Sequence, residues 1–125
     1  MCEGEPTRKP AVRKPVVFIG RALDEIRDFP SAARQDAGHQ IDLVQCGETP
    51  RGSKPMPSVG KGVREIRIAE DDGWFRVFYV ADLGDVVYIL HGFQKKSNQT
   101  PRRAVETGIN RYRLAVAESQ QRVQR

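Results

Sequence analysis

The chain has 125 residues, 38% of them hydrophobic, and a formal net charge of +5 at pH 7. This length suits one domain with a single modest core and excludes two such domains. No run approaches the roughly 18 apolar residues needed to cross a bilayer, and the first 15 residues lack the apolar segment of a signal peptide, so we expect a cytoplasmic protein.

Positive charge is concentrated at the two ends of the chain. Residues 95–125 contain eight basic and two acidic side chains, whereas the middle of the chain is net negative. This distribution is compatible with binding to nucleic acid, and equally with a basic, solvated helix that keeps the protein in solution. Charge alone does not separate the two interpretations.

The sequence offers few ligands for a metal. Cys2 lies in a polar leader and Cys46 ends a helical pattern, which indicates neither a disulfide framework nor a metal-ligand spacing, so we expect free thiols. Only His39 and His91 accompany them, and zinc usually requires four convergent ligands. We expect no metal and no cofactor.

The first part of the chain predicts a tail, a strand and a helical hairpin. Residues 1–14 contain almost no apolar side chains and are predicted to be a disordered basic tail. Val16–Ile19 is apolar and predicts a short buried strand. A helix over Arg21–Phe29 precedes a second helix, which Ser31 is expected to cap and Gly47 to end in a left-handed conformation.

A long connection follows over residues 48–62, with three prolines and three glycines. Loops of this length are often functional or mobile. This one brings Lys54 and Lys61 toward the next strand, although a flexible connector with incidental charges fits the sequence as well.

Three apolar runs, Val63–Ala69, Trp74–Ala81 and Val86–Phe93, are separated by turn sequences and predict an antiparallel meander. The middle run alternates strictly, which places Arg76 on one face and Tyr79 on the other, in the core. Because a charged sheet face is costly to bury, we expect the Arg76 face to meet water or a polyanion.

The C-terminal part predicts one basic helix. Thr100 is expected to cap it, with Pro101 at its first position, and Gly108 weakens it by about 1 kcal/mol relative to alanine. The domain is predicted over residues 15–119, with residues 120–125 frayed. Its apolar stripe comprises Val105, Ile109, Tyr112 and Val116.

These elements predict an α+β fold. An antiparallel β-sheet would contain the N-terminal strand and the three-stranded meander, with the helical hairpin on one face and a further helix at the C-terminus.

Four segments carry a resemblance to a known family: KPMP at residues 54–57, VREIRI at 63–68, FRVFYV at 75–80 and LHGFQKK at 90–96. In order and spacing, the chain resembles the RelE/HigB-like toxins of bacterial type II toxin–antitoxin systems, in particular their phage-derived branch, over about residues 15–116. The resemblance implies the RelE-like microbial RNase fold. It also implies a ribosome-dependent mRNA endoribonuclease that inhibits translation, needs no metal, and is silenced by a cognate antitoxin, expected to be a small helix-turn-helix protein.

In this family the 2′-hydroxyl of the RNA attacks the neighbouring phosphate, which requires a base, an acid and stabilising cations. Arg76 falls on the family's strand arginine and is the first choice for phosphate stabilisation. Arg67 and Lys96 match basic positions of the family. Glu65 replaces a family lysine and is either a general base or the ion-pair partner of Arg76.

A tyrosine or histidine near the C-terminus of some members has no match here. His91 is a candidate substitute, because histidine titrates near neutral pH, and a hydrogen-bonded packing role is the alternative. Contacts with the RNA backbone are expected from Lys54, Lys61, Lys95, Arg102 and Arg103.

Two other functions stay open. ParE-like toxins share the fold and bind DNA gyrase without acting on RNA. The chain could also be a non-toxic, phage-derived binding protein. The charged sheet face favours the nuclease, because an inhibitor of a protein has no need of a phosphate-binding array.

Overall fold

The computed structural model describes residues 13–71, 73–97 and 99–123. One five-stranded sheet has the order β1-β5-β4-β3-β2. The elements in chain order are β1 (Val16–Phe18), α1 (Ala22–Arg27), α2 (Ser31–Gln45), β2 (Lys54–Pro55), β3 (Val63–Glu70), β4 (Gly73–Leu83), β5 (Val86–Lys95) and α3 (Arg102–Val123).

The predicted meander is confirmed, since β3, β4 and β5 pair antiparallel in sequence order. At one edge, β1 lies parallel to β5, so the prediction of a wholly antiparallel sheet is wrong for this strand. The helical hairpin follows β1 in the chain and crosses one face of the sheet. The last strand of the meander, β5, then pairs with β1. At the other edge, the two residues of β2 pair antiparallel with β3 inside the predicted loop.

The helical hairpin packs on one face of the sheet. Its buried side chains, such as Ile26 and Phe29, form one core with residues of β3 and β4 that include Ile66 and Phe75. Tyr79 belongs to this core and is buried, which confirms its predicted position. The strict alternation of β4 therefore separates the two faces as expected.

The opposite face, which carries Arg76, is partly covered by α3. Phe78 and Leu90 form a second core with Ala115 of this helix. A Cβ at Gly108 would come within 2.9 Å of the Phe78 ring, so glycine here permits the close approach of helix and sheet. The expectation that this face would be open to solvent is wrong for the part beneath α3, because its apolar side chains and the stripe of the helix bury each other.

The helix ends differ in detail from the predictions. Pro30, not Ser31, occupies the cap position of α2. Helix α3 begins at Arg102, one residue later than predicted, and the hydroxyl of Thr100 donates to a side chain of the sheet instead of capping the helix. Gly47 has φ 87° and ends α2 in the left-handed conformation, as predicted.

Cys46 is disulfide-bonded, so the prediction of a free thiol there is wrong. Disulfide formation depends on tertiary position, which spacing along the chain does not show. The other cysteine, Cys2, lies outside the described residues, as does most of the predicted tail. No helix in the described segments is both long and apolar enough to span a membrane.

Candidate active site

A cavity of about 480 Å³ opens on the Arg76 face, beside the part covered by α3. The strand register explains its composition, because Arg67 lies opposite Arg76 and Lys95 lies opposite Trp74 on neighbouring strands. Residues directly opposite each other in a sheet share a face. Its lining consists of Lys54, Arg67, Ile68, Ala69, Trp74, Arg76 and Lys95.

Arg76 is only 6% exposed, so the part of the prediction that placed this side chain in water is wrong. It nevertheless lines the cavity and has cationic neighbours there. Its Nη1 donates to the carbonyl of Phe75 at 3.0 Å, and its Nε lies 3.5 Å from Oε1 of Glu65. Burial lowers the pKa of Arg76, the carboxylate of Glu65 opposes this shift and the charge of Arg67 adds to it. The guanidinium still remains charged, because arginine is not deprotonated in proteins.

Glu65 lies fully buried beneath this cluster of cations. Its Oε2 accepts a hydrogen bond of 3.2 Å from Thr100, and its Oε1 lies 3.9 Å from Nζ of Lys54. Within the described segments, neither Oε1 of Glu65 nor Nε of Arg76 has a partner in hydrogen-bonding geometry. One carboxylate therefore faces the four cations of the lining, Lys54, Arg67, Arg76 and Lys95, and the site has a local positive excess.

The two lysines at the end of β5 occupy different positions. Lys95 is 6% exposed and lines the cavity, whereas Lys96 is exposed after the strand ends and does not line it. Burial and the charge of Arg76 lower the pKa of Lys95, while Glu65 opposes this shift. The structure therefore brings to Arg76 the lysine that the sequence assigned to the RNA backbone.

His91 does not line the cavity. Its Nδ1 lies 2.8 Å from Oε1 of Glu25 in α1, and its ring stacks on Phe93 with centroids 5.0 Å apart. Arg111 of α3 donates to both oxygens of the same carboxylate, at 2.7 and 3.0 Å, and to the carbonyl of Leu90. We call Glu25, His91 and Arg111 the inter-element network.

The inter-element network joins α1, β5 and α3. Burial alone would raise the pKa of Glu25, but hydrogen bonds from His91 and Arg111 reverse this and lower it to about 2. The carboxylate is therefore ionised at any physiological pH. Glu25 and Arg111 were not among the predicted site residues, because their pairing across the chain leaves no local signal in the sequence.

The remaining predicted RNA contacts lie apart from the cavity lining. Arg102 and Arg103 are exposed in the first turn of α3, where Arg102 pairs with Glu106 at 3.5 Å. Lys61 is exposed in the connection before β3, and its carbonyl accepts a hydrogen bond from Tyr112. Lys54 alone among these loop and helix cations reaches the cavity.

The sequence prediction missed Trp74, which lines the cavity beside Arg76. A signal was present, because Trp74 and Arg76 alternate along one strand and must share a face. Among the described residues, no group of three or more histidine, cysteine or acidic side chains could hold a metal ion.

The sheet, its two helical layers and the cationic cavity define a small α+β protein with the fold of RelE toxins. A mutant of the Escherichia coli toxin RelE in the free state is similar with a TM-score of 0.59 and 16% identity, over 79% of this chain and 97% of that chain. The toxin–antitoxin complex RelBE2 from Mycobacterium tuberculosis contains a chain that is similar with a TM-score of 0.51 and 20% identity, over 69% of this chain and 95% of that chain.

Residues 24–113 match the family described as Phage derived protein Gp49-like (DUF891), and the chain belongs to this family. Among curated proteins, no sequence matches the chain. The resemblance to the phage-derived branch of the RelE/HigB-like toxins, inferred from four short segments, is thereby confirmed for family and fold.

Proposed function

We propose that this protein is the toxin of a type II toxin–antitoxin system and an endoribonuclease that cuts mRNA on the ribosome. The observation that carries the proposal is the cavity with four cations over one carboxylate. Such a cluster is electrostatically unfavourable by itself and gains most from a polyanion, because each phosphate that enters relieves the mutual repulsion of the cations.

The cations are suited to an attack of the 2′-hydroxyl on the neighbouring phosphate. The bond from the 2′-oxygen to phosphorus forms as the bond to the 5′-oxygen breaks, which leaves a cyclic phosphate and a free 5′-hydroxyl. Negative charge grows on the phosphoryl oxygens in the transition state. Arg76 and Arg67, opposite each other on β4 and β3, offer planar guanidinium donors for these oxygens, and Lys54 and Lys95 add charge on either side.

The reaction also needs a base for the 2′-hydroxyl proton and an acid for the leaving 5′-oxygen. Glu65 contacts Arg76 and Lys54, so its carboxylate lies closer to the proposed phosphate position than His91, which is engaged with Glu25. The lowered pKa of Lys95 makes its ammonium a better proton donor than an exposed lysine. We therefore favour Lys95 as the acid, and we assign the buried Glu65 to the positioning of Arg76 and Lys54 and not to proton transfer. In this scheme His91 and Lys96 stay outside the chemistry.

A toxin of this kind requires a cognate antitoxin, which we propose as the protein partner in the cytoplasm, together with the ribosome and mRNA. The similar chain in the RelBE2 complex supports this proposal, because that structure is a toxin–antitoxin complex. An acidic antitoxin segment could occupy the cationic cavity and compete with RNA.

The test is cleavage of a defined mRNA by the purified protein on programmed ribosomes. Arg76→Ala should lower the cleavage rate by at least about 100-fold, the order of magnitude seen when one transition-state donor is removed. Arg113→Ala is the matched control, since it removes an exposed arginine of α3 away from the cavity. Unchanged cleavage by Arg76→Ala, with its fold intact, would show that this mechanism is wrong. When the protein is expressed in cells, DNA damage with uninterrupted translation would instead assign it to the gyrase-binding class.

A further inference from the structure

Trp74 is a large hydrophobic side chain exposed at the proposed site. It is 44% exposed, and within the described segments Leu114, on α3, is the other large hydrophobic residue with such exposure. Trp74 is also the one tryptophan of the chain. The indole lines the cationic cavity while it is partly exposed, so its apolar surface is open to a ligand that enters there.

The strand register places Trp74 at the wall of the cavity. It lies opposite Lys95 on β5 and opposite Ala69 on β3, and all three line the cavity. The methyl group of Ala69 is too small to cover an indole. None of the ring pairs formed between described residues includes Trp74. One aromatic face is therefore available beside a cluster of cations.

Trp74 and Arg76 are two residues apart on β4 and point to the same side, so their Cα atoms are separated by about 7 Å. This distance allows one nucleotide to place its phosphate against Arg76 and an adjoining base against Trp74. Base stacking on aromatic side chains combined with a cationic backbone groove is the common mode of single-stranded nucleic-acid binding.

We propose that Trp74 is a stacking platform for a base of single-stranded RNA next to the scissile phosphate. This inference rests on the proposed function and adds a positioning residue to it. The surrounding charge decides between possible occupants. An apolar side chain of a protein partner would gain from the indole but nothing from the four cations, whereas an RNA strand uses both.

The experiment measures single-turnover cleavage on programmed ribosomes with the intact mRNA and with mRNAs that carry one abasic nucleotide at successive positions around the cut. Trp74→Ala should slow cleavage of the intact mRNA by about 5- to 150-fold, the range expected for one lost base stack. Trp74→Phe should retain most of the rate. Leu114→Ala, the matched loss of an exposed apolar side chain on α3, should cleave at the wild-type rate.

The abasic series gives the decisive comparison. One abasic position should slow the wild-type protein by a similar factor and should not slow Trp74→Ala any further, because the same contact has already been removed. If that abasic site slows both proteins equally, or if Trp74→Ala cleaves at the wild-type rate, the stacking role is refuted.

Two further outcomes distinguish failure of the stacking role alone from failure of the proposed function. If Trp74→Ala cleaves normally but is no longer neutralised by the antitoxin, the indole belongs to a protein interface and the stacking proposal is wrong. If the wild-type protein cleaves no mRNA on ribosomes, the proposed function itself fails, and the stacking role fails with it.

Discussion

Replacement of Glu25 by glutamine should destabilise the protein in a pH-dependent manner. The pKa of Glu25 is lowered from 4.5 to about 2 in the folded state, so its ionised form contributes stability above pH 4.5. At 1.36 kcal/mol per pKa unit, this difference corresponds to about 3 kcal/mol. Glutamine keeps the shape of the side chain but not its charge, and it leaves Arg111 without its ionic partner. The free energy of unfolding should therefore fall by about 2–3 kcal/mol at pH 7.

The sign of the pH dependence follows from the lowered pKa. As the pH falls from 4.5 toward 2, the folded wild-type protein loses the contribution of the ionised carboxylate, and the difference between wild type and Glu25→Gln should shrink. At pH 3 about 40% of the difference should remain.

Urea denaturation followed by far-ultraviolet circular dichroism at pH 7 and pH 3 measures these values. Glu106→Gln serves as the control, because the carboxylate of Glu106 is exposed and forms a surface pair only. Equal stability losses for Glu25→Gln at both pH values would contradict the assignment of the network as an ionic one.

Two further predictions concern the packing of α3 on the sheet and the hydrogen bond from Thr100 to Glu65. Gly108→Ala should lower the free energy of unfolding by about 1–3 kcal/mol, because its Cβ would come within 2.9 Å of a ring carbon. Gly38→Ala in α2, where a Cβ meets nothing within 4 Å, should instead stabilise by about 0.5–1 kcal/mol, and thermal melts of both variants check the contrast. Thr100→Val should cost about 1–3 kcal/mol in urea denaturation, because it removes a hydrogen bond to buried Glu65, and Thr100→Ser should restore it; equal losses in both variants would speak against this role.

The alternation of strands was the most informative property of the sequence. In β4 it assigned Arg76 to one face and Tyr79 to the core, and the structure agrees on both. Alternation is reliable there because β4 is not interrupted between these residues. The same alternation places Trp74 on the face of Arg76, although Trp74 was not among the predicted site residues.

The fifth strand shows why alternation alone is insufficient. The register between β4 and β5 shifts between Phe78 and Tyr79. Phe78 pairs with His91 but Tyr79 pairs with Ile89, so Leu90 is the extra residue on β5. A bulge of this kind changes which side chains face the cavity beyond it, and Gly92 gives no side-chain pattern to reveal the change. The match to the family pointed to Lys96, and alternation in β5 could not correct it, whereas Lys95 lines the cavity.

Burial of charge was the second property that the sequence did not show. The cost of burying Arg76 suggested an open surface. Its actual position depends on contacts between distant parts of the chain. Glu65 on β3 contacts Arg76, and Thr100, in the connection before α3, donates a hydrogen bond to Glu65. Such tertiary compensation leaves no periodic signal in one strand.

The parallel pairing of β1 with β5 has a consequence for the order of folding. Val16 pairs with Val87, so β1, the first strand to be synthesised, cannot pair until β5 has been synthesised. Contacts so remote along the chain slow folding, because a large loop must close before they form. A nascent chain that ends before Val86 lacks the partners of this edge, and one that ends before Lys95 also lacks one wall of the cavity, so the proposed site can form only after the whole of β5 has been synthesised.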